Sequence, residues 1–121
     1  MTDANACPIR HIVMWDVAGS TEAEKRRAID SVRREFEALR GRIPGMTRLE
    51  IGVDISRIDY ACDMLLLTEF ESAAALAAYA VHPEHLAVRD RLAGLRIARH
   101  QVDYPMIPQD LPPIAREGAA G

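Results

Sequence analysis

A tyrosine and two histidines share one short run, Tyr79-Ala80-Val81-His82-Pro83-Glu84-His85. A neutral imidazole is a capable base near physiological pH and can take an acidic proton from a carbon between two carbonyls. A phenolic O–H can donate to the oxyanion that then develops. Tyr79 and His85 are therefore the candidate acid/base pair, with His85 as base and Tyr79 as donor. A purely structural reading stands beside this one: Tyr79 packs on a sheet, His82 caps a helix and His85 is a partly exposed polar residue.

Two further residues qualify by position. His11 alternates with Val13, Trp15 and Val17 along one strand face, and one polar group among apolar walls is the usual composition of a small-molecule pocket. His11, Trp15 and His82 are accordingly the candidate binding residues. The alternatives are a satisfied core histidine at position 11 and an indole at position 15 that simply fills space.

Other chemistries lack their residues. His82 and His85 are three apart with no HExxH pattern or cysteine partner to complete a zinc site, so no metal is expected. There is no GxGxxG, no Walker loop and no serine in a nucleophile elbow, and no nucleotide cofactor is expected either. Fifteen Lys and Arg against eighteen Asp and Glu leave a formal charge of −3, which offers no field for nucleic acid or anionic lipid. The basic residues Lys25, Arg26 and Arg27 are interleaved with acids, and Glu22 with Arg26 has the i,i+4 order of a solvated helix face. The two cysteines, Cys7 and Cys62, suit neither a disulfide framework nor a zinc pattern.

The elements that must position these groups are legible in turn. Ile9 to Val17 crowds β-branched and aromatic residues before Gly19, which predicts a strand. Ser20 or Thr21, with Glu24, forms a capping-box start for a helix whose Ile29, Val32, Phe36 and Leu39 make one apolar stripe. Pro44-Gly45 follows, and Thr47, Leu49, Ile51 and Val53 alternate with polar residues as a strand does. Cys62 to Phe70 is apolar without alternation, so both faces of that strand need cover. Ser72 caps an Ala-rich helix that Pro83 breaks, and a further helix with His82 as N-cap runs to about Leu92. Leu95 to Tyr104 closes with a strand.

At 121 residues the chain suits one domain. The order β-α-β-β-α-β predicts an α+β, ferredoxin-like protomer with a four-stranded antiparallel sheet and its helices on one face. The first and third strands would be central, and the open face of the sheet invites a second sheet. Two copies joined face to face would make a dimeric α/β barrel, so the expected partner is a second copy of the chain. The domain is placed at residues 8–105, with flexible tails at 1–7 and 106–121. No basic segment followed by an apolar run opens the chain and no stretch approaches the roughly eighteen apolar residues of a membrane span, so a cytoplasmic protein without membrane contact is expected.

Three stretches together resemble the stress-responsive dimeric A/B-barrel family: Ile9-Arg10-His11-Ile12-Val13-Met14-Trp15, Ile43-Pro44-Gly45-Met46 and the Tyr79-to-His85 run, closed by Val102-Asp103-Tyr104. The resemblance covers about Ile9 to Tyr104 and implies a homodimeric barrel. It does not imply one activity. Members include stress-associated proteins and plant enzymes resembling polyketide cyclases, in which a tyrosine and a histidine at the positions of Tyr79 and His85 promote ring closure of a poly-β-keto thioester. Similar folds also host heme-independent monooxygenases and lyases. The two leading expectations are a cofactor-independent cyclase, lyase or isomerase on a carbonyl-activated small molecule, and a non-catalytic stress-responsive or ligand-binding dimer.

Overall fold

The computed structural model describes residues 7–107; the expectations for the two tails fall largely outside them. Seven elements follow in order: β1 (Ile9–Val17), α1 (Glu22–Glu37), β2 (Met46–Val53), β3 (Met64–Phe70), α2 (Ala73–Ala80), α3 (Pro83–Arg91) and β4 (Arg96–Pro105). The four strands make one antiparallel sheet in the order β2-β3-β1-β4. This is the ferredoxin-like arrangement, with β1 and β3 central and the second helical segment divided at Pro83.

The caps form as the residue types dictate. Thr21 Oγ1 accepts from the Glu24 N–H at 3.1 Å, and Glu24 Oε2 in return accepts from the Ser20 N–H at 2.7 Å. Ser72 Oγ accepts from the Ala75 N–H at 3.1 Å and opens α2. Helix α1 ends at Glu37, short of Leu39, because the chain tightens there into i→i+3 bonds from Leu39 to Phe36 and from Arg40 to Glu37. Leu39 still completes the stripe at 3% exposure. Strand β3 begins at Met64 rather than Cys62, since the Asp63 carboxylate is committed to the Val17 N–H and to Arg57 across the loop.

The helices cover the face of the sheet that carries Val13, Trp15, Val17, Leu66 and Phe70. Trp15, Phe36 and Phe70 are at most 1% exposed, and full burial of a large apolar side chain contributes about 1.5–3 kcal/mol. Among the described residues no layer covers the opposite face of the sheet. There Met14, Ile97 and Val102 are exposed, while Ile12, Leu65 and Leu67 are half-buried.

The Pro44-Gly45 turn is pressed against α2. Gly45 has φ +80°, and a Cβ at this position would lie 2.6 Å from the Ala75 Cβ. Gly45→Ala is expected to lower stability by about 1–3 kcal/mol through the left-handed backbone and the clash, as measured by denaturant unfolding. An unchanged midpoint would contradict this account of the turn. The contact matters beyond stability, because α2 carries Tyr79.

Candidate functional site

Helix α2 is almost all alanine, and side chains this small leave a gap between helix and sheet that larger ones would fill. A cavity of about 480 Å³ opens there, walled by α2, α3, the helix-covered face of the sheet and β4. His11, Tyr79 and His85 all line it.

Pro83 sets the geometry of the pair. Its ring ends α2 and starts α3, with His82 as N-cap at φ −65°, ψ 134° and its Nδ1 accepting from the Glu84 N–H at 3.1 Å. His85 then falls in the first turn of α3, directly against the end of α2. The Tyr79 and His85 rings stack with centroids 4.0 Å apart and 23° between planes. His85 Nδ1 lies 3.1 Å from the Tyr79 carbonyl oxygen. That oxygen can only accept, so Nδ1 carries the proton and Nε2 keeps a free lone pair. Burial pushes the His85 pKa below its usual 6.5, backbone hydrogen bonds from the end of α2 work against this, and Arg89 and Arg96 reinforce it. The neutral form is thus favoured first by burial.

Tyr79 is 2% exposed, and its hydroxyl is buried with no hydrogen-bond partner among the described residues. Burial raises its pKa to about 12, against the opposing pull of Arg96 and Arg99. The phenol is therefore a proton donor throughout the physiological range. A buried hydroxyl left unpaired costs about 1–3 kcal/mol.

His11 is held from the other side. Its Nδ1 meets Asp103 Oδ1 at 2.5 Å across the β1–β4 pairing, and its ring stands edge-on to Tyr79 with centroids 6.3 Å apart. Gln101 Nε2 donates to the other Asp103 oxygen at 3.0 Å. The structure thus gathers His11, Tyr79 and His85, and leaves two candidates outside the cavity wall. His82 serves as a helix cap. Trp15 is fully buried in the core, 5.9 Å from the Phe36 ring, because its strand position sits under α1 and not under the alanines of α2.

Trp15 touches the site indirectly, through a residue the sequence did not single out. The Arg96 guanidinium lies over the rings of Trp15 and Phe36, at 5.3 Å and 5.2 Å from their centroids, and Arg96 lines the cavity with Arg89 and Arg99. Arg96 and Arg99 are three apart, a spacing that puts side chains on opposite faces of a regular strand. Only the irregularity in β4 brings them together. Asp103 was visible as part of a closing motif, but nothing in the sequence tied it to His11. Among the described residues no three His, Cys, Asp or Glu side chains gather as a metal site would require, and no helix is long and apolar enough to cross a membrane.

Fold and site together define a ferredoxin-like α+β protein with a polar-ended cavity between its sheet and the helices α2 and α3. The family model described as the stress responsive A/B barrel domain matches residues 9–106, and the chain belongs to that family. It is similar to a dimeric ferredoxin-like protein of unknown function from Bacteroides fragilis, at 28% identity and a TM-score of 0.73 over 82% of this chain and 96% of that one. A Dabb family protein from Mesorhizobium loti is 29% identical, with a TM-score of 0.63 over 86% and 99% of the two chains. The hydroxynitrile lyase of Passiflora edulis shares the fold at 17% identity, with a TM-score of 0.71 over 88% and 99%. No curated protein matches the chain.

Proposed function

We propose that the protein is a cofactor-independent acid/base enzyme acting next to a carbonyl group, in a class with cyclases, lyases and isomerases. The observation that carries this reading is the unpaired Tyr79 hydroxyl, buried in the cavity wall beside a His85 whose Nε2 is free. In the step envisaged, His85 Nε2 takes a proton from the carbon next to the carbonyl. The C–H electron pair becomes the enolate double bond, the carbonyl pair moves onto oxygen, and Tyr79 donates its O–H to that oxygen. The enolate carbon then regains a proton or attacks a second carbonyl. A binding-only protein would use the same hydroxyl to hold a ligand; the free His85 Nε2 beside it is what favours proton transfer over binding alone.

Solvent-deuterium exchange at carbons next to a carbonyl tests the reading. Exchange faster than the uncatalysed rate for a bound ketone supports it. Exchange at the uncatalysed rate with every carbonyl compound that binds contradicts it and favours the binding-only alternative.

The working unit is a homodimer in this reading, formed by the open sheet face. Met14, Ile97 and Val102 are exposed side by side with half-buried Ile12, Leu65 and Leu67, and a contiguous apolar face of this kind marks an interface. The similar Bacteroides fragilis protein is described as dimeric. Light scattering is expected to give twice the chain mass, and Val102→Glu to shift the protein to monomer by placing a charge in the apolar interface. A dimer indifferent to Val102→Glu would contradict this choice of face.

A further inference from the structure

The acid/base reading leaves one property of the cavity unused, its excess of positive charge. Arg96, Arg99 and Arg89 all line it. Among the described residues none of the three guanidinium groups has an ion pair or a hydrogen bond. Arg96 Nε is fully buried and unpaired. The carboxylate in the wall, Asp103, is occupied by His11 and Gln101. A guanidinium is a fixed fork of donors suited to a planar two-oxygen anion, and here its inner donor is withheld from water while facing no acceptor.

The backbone is built to produce this. Strand β4 pairs Val17 with Arg96 and Asp16 with Ile97, then skips to Met14 with His100. Ala98 and Arg99 therefore share the place opposite Trp15, and the extra residue returns Arg99 to the face that carries Arg96, Gln101 and Asp103. Ala98 takes φ 51° to do so, a left-handed conformation that a residue with a Cβ adopts only under constraint. Strain of this sort collects where a chain must aim a side chain. Charge repulsion acts against the same arrangement, since Arg99 and Arg89 both add to burial in disfavouring the charged form of Arg96.

From these features we infer that Arg96, Arg99 and Arg89 form an anion subsite, and that the ligand carries a carboxylate in addition to the carbonyl group. The position of that carbonyl beside Tyr79 and His85 rests on the acid/base reading. The subsite itself does not. The carboxylate lies against the β4 wall and accepts from the Arg96 fork, with Arg99 closing from the more exposed side. The ligand class is thus a small oxo acid, which the cavity's size and largely apolar walls accommodate.

The test uses 4-oxo-4-phenylbutanoate and its primary amide, which has the same shape without the charge. Both are titrated calorimetrically into the full chain at low and high salt. The acid is expected to bind at least about tenfold more tightly than the amide, the worth of a charge-assisted hydrogen bond. Its affinity should fall as salt rises while that of the amide does not. Arg99→Gln should cost the acid about tenfold and leave the amide unchanged. Arg99 is used because it is exposed and outside the core; Arg96→Lys, which keeps the charge and loses the fork, should also weaken the acid alone. Equal affinity for acid and amide would overturn the subsite, and inorganic phosphate displacing the acid with equal affinity would overturn its assignment to a carboxylate. Proton exchange read on the same samples separates the two proposals. Tight acid binding without exchange upholds the subsite and, where no other bound ketone exchanges either, overturns the acid/base reading. Exchange of the amide at the rate of the acid, untouched by Arg99→Gln, does the reverse.

Discussion

His85→Gln is expected to lower the rate of catalysed proton exchange by about 10²–10⁴-fold, the usual contribution of a positioned general base. Glutamine retains a side chain of similar reach that can still donate to the Tyr79 carbonyl, so the end of α2 keeps its hydrogen bond while the base is lost. The pH dependence identifies the base more sharply than the size of the effect. Burial, the leading cause, holds the His85 pKa below 6.5, so the wild-type rate should be flat at neutral pH and fall only as the pH drops through that lowered value. Stability follows the same sign. In the window between the lowered value and 6.5 the unfolded chain binds this proton and the folded chain does not, so the protein loses stability as the pH falls through it. That component of the acid destabilisation should vanish in His85→Gln, as thermal melts at neutral and mildly acidic pH would show. A variant with the wild-type rate, or a wild type whose rate rises toward acid pH, would exclude His85 as the base.

Tyr79→Phe is expected to separate activity from stability. Exchange should fall by about 10²–10³-fold, the cost of removing one donor from a developing oxyanion. Stability should hold or rise by about 1–3 kcal/mol, because the deleted hydroxyl is buried without a partner. The ring stack on His85 survives in the phenylalanine. For a domain of this size each kcal/mol gained raises Tm by about 4 °C. With the Tyr79 pKa raised to about 12, its ionisation should produce no loss of activity on the alkaline side below that range. A marked drop in Tm would show that the hydroxyl holds the fold together and would remove the main support for a catalytic role.

Much of this architecture could be read from the chain because it depends on local chemistry. The caps at Thr21, Ser72 and His82, the break at Pro83 and the alternation of His11, Val13, Trp15 and Val17 act over a few residues, and each survives into the fold. The stacking of Tyr79 on His85 follows from the same source, since the Pro83 break brings the first turn of α3 against the end of α2. What stayed hidden depends on register between distant strands. His11 meets Asp103 only through the pairing of β1 with β4, and Arg96 meets Arg99 only because Ala98 is inserted between them. Trp15 was equally suited to wall or core by type, and its place was decided by the bulk above it: Phe36 of α1 stands over Trp15, whereas the alanines of α2 leave space over His11 and Val13. The cavity itself is a consequence of what the α2 side chains lack, which a sequence shows as helix propensity and not as volume.

The central claim is that Tyr79 and His85 act as one unit on a carbonyl ligand in this cavity. Its most direct test is the exchange rate of one bound ketone measured with wild type, His85→Gln, Tyr79→Phe and the double variant. Groups that serve one transition state are not additive, so the double variant should be little slower than the worse single variant. Wild-type rates in both single variants would contradict the claim, and so would a double variant slower by the full product of the two single effects.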